Sequence, residues 1–332
     1  MTNFLTTFWR RVLLPLLLGC AVGVSGCGGV LESASPEETP IATTMLAKPA
    51  ATPEASISVE APPDPMPSKL LKLTFHSEAL NHNMRLQVYE PPGYDPSRRY
   101  PVLYLLHGYN AMETAWLSEM RMSYTADRMI AKGSIQPFFI VAPEMDNSYG
   151  LNTQDEYQVA VPSDPVHSRY YGRYEDYFVE DVIGYIDSHF STIASREGRW
   201  VGGYSMGGFI SLSDAFRHPE LFSKVGGHSA ALWLNDWSRV PMMKSWLYPT
   251  KKVRKERDPI ALAESADLSG IEVYLDVGDK DDFKLYDGAK ELFGILQKRG
   301  VVSQLHVNPG KHNRTYWKSQ LENYLKFYAG SE

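Results

Sequence analysis

The sequence predicts an α/β protein: a mostly parallel central sheet, antiparallel at its N-terminal strands, with helices on both faces. Three observations predict it. Short runs such as Val102-Leu103-Tyr104-Leu105-Leu106 and Phe138-Phe139-Ile140-Val141 are continuously apolar, as expected of parallel strands covered on both faces. Between such runs lie segments with a 3.6-residue apolar period, clearest at Tyr174, Tyr177, Phe178, Val182, Tyr185, Ile186 and Phe190. One further strand, residues 200–204, passes directly into a helix through Gly203-Tyr204-Ser205-Met206-Gly207.

The chain has 332 residues, of which 43% are hydrophobic and 22% charged, an ordinary globular composition. Its net charge of −6 offers no basic surface for nucleic acid. The two cysteines, Cys20 and Cys27, both precede the predicted fold, which excludes a disulfide framework, a thiolate metal site and a cysteine nucleophile there.

In chain order, residues 1–27 read as an export signal. Arg10 and Arg11 are followed by an apolar run, residues 12–24, too short to span a bilayer comfortably. It closes on Val24-Ser25-Gly26-Cys27, which resembles a bacterial lipobox, with Cys27 the lipid-attachment site; Leu17-Leu18-Gly19-Cys20 also fits but leaves a shorter apolar core. Two or three acyl chains would make that attachment stable, where one is marginal. Residues 28–68 shift to Pro, Ala, Thr, Ser and Glu without apolar periodicity and read as a disordered tether.

The folded domain is expected over residues 69–332. Residues 71–75 and 84–89 alternate, as two half-buried antiparallel strands do. Central strands follow at 102–106, 138–141 and 200–204, with two more at 271–277 and 304–307. Helices are expected over 174–190, 209–216, 285–296 and 317–325, in a single domain.

The chemistry centres on Ser205. A bare G-x-S-x-G arises by chance in roughly one chain in ten of this length, so its strand–turn–helix context carries the inference. A sharp turn there presents the hydroxyl at the tip of the sheet, with the Met206 N–H facing the same point. A serine needs a base, and where the turn has this form the order along the chain is Ser, Asp or Glu, then His. Only His306 and His312 follow the acid candidates. His306 lies inside a strand, whereas His312 follows Asn308-Pro309-Gly310-Lys311 at the strand's end, so His312 is the candidate base. The acid is expected in Gly278-Asp279-Lys280-Asp281-Asp282. Asp281 fits best, and Asp279 and Asp282 remain alternatives with helix capping as their other role. His107-Gly108 ends the first central strand, where the Tyr109 N–H would join that of Met206 as an oxyanion hole and His107 would buttress the loop.

These stretches, together with Tyr177-Phe178-Val179-Glu180-Asp181, His218-Pro219-Glu220-Leu221-Phe222 and Tyr316-Trp317, make residues 70–328 similar to an esterase family of α/β-hydrolases. It includes esterase D-type S-formylglutathione hydrolases, feruloyl and acetyl xylan esterases, siderophore esterases and mycolyltransferase antigens. The resemblance implies a Ser205–His312–Asp281 triad and a hole built from Tyr109 and Met206. The chain departs from the family pattern at Lys311, where a second glycine is common, and near Arg314, where an aromatic is common. Both bear on substrate preference.

Tyr149, in the loop of residues 145–171, and Trp233, in the Trp-rich connection of residues 231–266, are candidate pocket residues; a lid and a satellite core both fit that connection. Lys251-Lys252-Val253-Arg254-Lys255-Glu256-Arg257 reads as a solvated charged face. No metal or cofactor site is expected. The expected function is that of an exported, membrane-anchored serine esterase acting on a small-molecule, carbohydrate or lipid ester. The alternatives are an acyltransferase using the same triad on a sugar or lipid hydroxyl, and a non-catalytic binding lipoprotein.

Overall fold

Continuous apolar runs become central strands here because both faces of the sheet are covered. A computed structural model of the chain describes residues 67–153 and 171–330. The expected export signal, Cys27, the tether up to residue 66, and residues 154–170 of the candidate pocket loop lie outside the described residues.

The main sheet has eight strands. These are β1 (Lys69–Ser77), β2 (His82–Glu90), β3 (Val102–Leu106), β4 (Phe139–Pro143), β7 (Arg199–Tyr204), β8 (Lys224–His228), β9 (Glu272–Gly278) and β10 (Val302–Asn308). A separate two-residue pair joins β5 (Asn152–Thr153) to β6 (Gly172–Arg173). The spatial order is β1-β2-β4-β3-β7-β8-β9-β10. β1 and β2 are antiparallel to each other, β2 is antiparallel to β4, and every later pairing is parallel.

All five residues of β3 are buried. Val102, Tyr104 and Leu106 join one core cluster, and Leu103 and Leu105 the other on the opposite face, following the two-residue period of a strand. Each fully buried side chain of this size contributes on the order of 2–3 kcal/mol of transfer free energy. β10 alternates between exposed and half-buried residues, as the last strand of the sheet. His306, on that strand, stacks on Tyr274 at 4.8 Å, the sheet-face role expected of it.

The structure differs from the sequence reading at several places, among them the helix Met122–Ala131 and the β5–β6 pair, neither of which was expected. β8 was not expected, because Lys224-Val225-Gly226-Gly227-His228 is short and holds two poor strand formers. Gly226 is required by a close approach: a Cβ there would lie 1.9 Å from the Tyr328 hydroxyl. The helical stretch from residue 174 is α2 (Tyr174–Asp176), a π-helical segment (Tyr177–Val182) and α3 (Ile183–His189) rather than one uniform helix, so Phe190 falls outside it. The C-terminal helix is two, α9 (Arg314–Ser319) and α10 (Leu321–Ala329), parted at Gln320.

The remaining α-helices among the described residues are α1 (Met122–Ala131), α4 (Met206–Arg217), α5 (Pro241–Leu247), α6 (Lys251–Arg257), α7 (Pro259–Ala263) and α8 (Leu285–Lys298), with a π-helical turn at Ala115–Glu119 and a 3-10 turn at Arg196–Gly198. The Trp-rich connection contains α5 to α7, and its Trp233, Trp237 and Trp246 join the main core rather than a satellite. Among the described residues, no helix is long and apolar enough to cross a membrane. The parallel register aligns the strand ends: Leu106 pairs with Gly203, Tyr204 with His228, and Asn308 with Gly278. The loops at the carboxyl edge therefore meet, which is where ligands bind in such sheets.

Candidate active site

One residue makes the turn between β7 and α4. Ser205 sits at φ 55°, ψ −115°, a backbone conformation that costs on the order of 1–3 kcal/mol for a residue with a side chain. Its neighbours hold it there. The Ser205 N–H donates to the His228 carbonyl at 3.0 Å, while the Ser205 carbonyl accepts from Ala231 at 2.9 Å and Phe209 at 3.0 Å. Gly207 lets α4 approach β3, since a Cβ there would lie 2.1 Å from the Leu106 carbonyl oxygen.

His312 arrives from the loop between β10 and α9. Asn313 caps α9 by accepting from the Tyr316 N–H at 3.0 Å, which fixes where the loop ends and the helix begins. The imidazole is gripped edge-on by Phe283, at 5.0 Å between centroids, and Trp317, at 5.1 Å. Its Nε2 lies 2.8 Å from Ser205 Oγ and its Nδ1 2.8 Å from Asp281 Oδ2. A carboxylate can only accept, so Nδ1 carries the proton and donates to Asp281, leaving the Nε2 lone pair toward the serine hydroxyl. Asp281 is buried, and its Oδ1 accepts the Phe283 N–H at 2.8 Å, so both oxygens are engaged.

The three candidate aspartates have different places. Asp281 meets the imidazole. Asp279 accepts the Gly310 N–H at 2.9 Å, and the Lys280 N–H donates to the Gly310 carbonyl at 2.8 Å, so this segment ties the histidine loop to the acid loop. Asp282 is exposed.

The loop after β3 has its own anchor. His107 is buried; its Nδ1 donates to the Gly108 carbonyl at 2.9 Å, and its Nε2 is approached by the Met145 N–H at 2.9 Å and by Glu144 Oε1 at 3.0 Å. Burial opposes a charged imidazole, but the Glu144 carboxylate outweighs it and raises the His107 pKa. Burial likewise pushes the Glu144 carboxyl up, and the His107 charge and hydrogen bond overcome it, holding Glu144 well below the usual carboxylate range. Asn110 and Asn147 complete the clamp: the Asn147 amide donates to Asn110 Oδ1 and the Asn110 N–H donates to Asn147 Oδ1, each at 2.8 Å. His107 thus buttresses the loop, as expected, while Glu144, Asn110 and Asn147 had no distinguishing signal in the sequence.

Ser205 and His312 open onto a cleft of about 310 Å³ shared with Tyr109, Tyr149, Trp233 and Phe283. Tyr149 is buried with φ 53° and packs against Phe209 at 5.5 Å and Trp246 at 5.6 Å, which joins the Trp-rich connection to α4. Tyr109 and Trp233 each lie 6.4 Å from Tyr149, ring to ring. The Met206 side chain is buried, and its N–H is the first of α4, where helix N–H groups lack an intrahelical acceptor.

A polar cluster behind the site was not anticipated. His228 Nδ1 lies 2.8 Å from Asp276 Oδ1, and Asp276 Oδ2 accepts from the hydroxyls of Tyr316 at 2.7 Å and Tyr324 at 2.9 Å. Burial, then the Asp276 charge, push the Tyr316 phenol well above its ordinary value. The cluster links β8 and β9 to the helices that follow His312. A lone Asp inside the apolar run at 271–277 was its one signal, because a buried carboxylate requires partners.

The sequence profile of the family described as Putative esterase matches residues 77–328. An endo-1,4-beta-xylanase/feruloyl esterase of Xylanibacter ruminicola is 29% identical over 182 residues, or 53% of this chain; the alignment spans 24% of that relative's length. A solved ferulic acid esterase superposes with a TM-score of 0.64 at 25% identity, covering 79% of this chain and 97% of its own. An S-formylglutathione hydrolase from Agrobacterium tumefaciens superposes at 0.63 and 19% identity, covering 79% and 94%, a likeness of fold. The profile match takes in every strand of the sheet except most of β1, along with all the site residues described above, and the chain belongs to the Putative esterase family of α/β-hydrolases.

Proposed function

We propose that the chain is a serine carboxylic-ester hydrolase working through Ser205, His312 and Asp281. The observation that carries this reading is the unbroken hydrogen-bonded line from Asp281 through His312 to Ser205, opening on an aromatic cleft. His312 Nε2 takes the Ser205 proton as Oγ attacks the ester carbonyl carbon. The oxyanion that forms faces the Tyr109 and Met206 N–H groups, and donors of this kind typically contribute several kcal/mol to the transition state. Collapse expels the alcohol, which receives the proton from His312, and leaves an acyl-Ser205. A water then gives its proton to His312 and attacks the acyl carbon, releasing the acid and restoring the serine.

The aromatic walls favour a planar or aromatic acyl group, consistent with the feruloyl esterase names among the relatives. With the full chain, Ser205→Ala is expected to abolish turnover of a p-nitrophenyl ester and labelling by a fluorophosphonate probe while retaining the wild-type circular dichroism. Turnover equal to wild type would refute the reading. An added sugar alcohol that diverts product from free acid to a new ester would instead assign the acyl-enzyme to transfer. The sequence at residues 1–27 supports export and lipid anchoring at Cys27. Cys27→Ala is expected to abolish incorporation of an alkynyl fatty acid and release the protein from the membrane fraction; unchanged incorporation would refute it.

A further inference from the structure

Among the described residues, the cleft beside Ser205 holds one fixed charge. Its walls are aromatic or aliphatic, from Tyr109, Tyr149, Trp233, Val240, Pro241, Met243 and Phe283, and the exception is Arg239 on the segment leading into α5. The Arg239 guanidinium lies over the Phe283 ring at 6.0 Å. Phe283 is also the ring that packs edge-on against His312 at 5.0 Å, so the cation stands one side chain away from the base.

Among the described residues, Arg239 makes no ion pair. The neighbouring Asp236 is already engaged: its Oδ2 accepts from Lys284 Nζ at 3.0 Å and its Oδ1 from the Ser238 hydroxyl at 2.6 Å and the Ser238 N–H at 3.1 Å. These bonds hold the Asp236 carboxyl well below the usual range, committed as a carboxylate to partners other than Arg239. Asp281, the acid of the triad, has both oxygens occupied by His312 and Phe283. Among the described residues, no carboxylate lines the cleft. Arg239 is exposed and stands at the rim of the apolar cleft, where its guanidinium is a directional donor for a carboxylate or another planar oxyanion, because two parallel N–H bonds match that geometry.

We propose that Arg239 is a specificity-determining residue that binds a carboxylate carried by the ester substrate, selecting esters with an anionic end over neutral ones of the same shape. The inference rests on the esterase reading and deepens it. The carboxylate sits on either the acyl or the alcohol portion, and these are separable by experiment.

The test measures kcat/KM of the full-length chain on two matched ester pairs. In the acyl pair, p-nitrophenyl hemiglutarate is compared with p-nitrophenyl valerate. In the alcohol pair, the butyrate ester of 4-hydroxybenzoate is compared with that of 4-hydroxybenzamide. Within each pair the anionic-to-neutral ratio is the readout, so a general loss of activity or stability cancels. In one pair, Arg239→Gln is expected to lower that ratio about tenfold and Arg239→Glu to lower it further, while Arg239→Lys retains part of it. Ratios unchanged in both pairs for the Gln and Glu variants would overturn the arginine's role while leaving the esterase reading intact. Absence of wild-type turnover on all four esters would sink the esterase reading, and this inference with it.

Discussion

The three aspartates of the loop after β9 offer a sharp test, because their side chains do different things within a few residues of each other. Asp281→Asn keeps the shape and removes the charge. An amide facing His312 can present its N–H₂ to Nδ1, which shifts the imidazole proton to Nε2 and removes the lone pair that faces Ser205 Oγ at 2.8 Å. Loss of the correct tautomer typically costs on the order of 10⁴ in kcat, equivalent to about 5.5 kcal/mol of barrier. Asp279→Asn weakens only the 2.9 Å bond that holds the Gly310 N–H at the solvent-exposed rim. It loosens the histidine loop without altering the base, so a loss under about tenfold is expected. Asp282→Asn, at an exposed position, is expected to stay within about twofold. The assay is steady-state hydrolysis of p-nitrophenyl acetate, with KM reported beside kcat and each variant's melting temperature recorded. If Asp281→Asn retains more than about a tenth of wild-type kcat, or if Asp279→Asn is the more damaging, the tautomer argument is wrong.

Two other perturbations test the scaffold around the serine. Gly207→Ala brings a methyl to 2.1 Å from the Leu106 carbonyl, so α4 or β3 must move; a loss of several kcal/mol in urea-denaturation stability is expected, and a loss below about 1 kcal/mol would show that the turn at Ser205 yields easily. Glu144→Gln tests the buried pair under the Tyr109 loop. His107 has a raised pKa in the fold, so its contribution is complete below the unfolded value near 6.5 and fades as pH climbs through the raised one; Glu144 is lowered, so its contribution is complete above about 4.5 and fades below that. The melting-temperature gap between wild type and Glu144→Gln should therefore be widest between about pH 4.5 and 6.5 and narrow on the alkaline side. A gap that stays unchanged from that window up into the alkaline range in scanning fluorimetry would contradict a charged pair and leave His107 neutral, its Nε2 accepting the Met145 N–H.

Legibility followed the range of the interactions. β3 was readable to the residue because its five apolar residues are all buried, and local composition reports that directly. β8 was not, because Gly226 serves the Tyr328 hydroxyl, a partner about a hundred residues away in the chain. The π-helical segment at Tyr177–Val182 left no trace in the apolar period, since one altered turn keeps nearly the same buried face. His228 looked unremarkable in sequence and Asp276 stood out only as an acid within an apolar run; only their pairing across β8 and β9 makes a polar cluster of them.

By itself the sequence determined the α/β class, the strand–Ser205–helix turn and the order of serine, acid and histidine, because each depends on periodicity, glycine placement and succession along the chain. Which aspartate faces the imidazole, what clamps the Tyr109 loop and where Arg239 stands were decided only by tertiary structure. Those answers depend on which loops the parallel register brings to one edge of the sheet, and no local pattern encodes that distance.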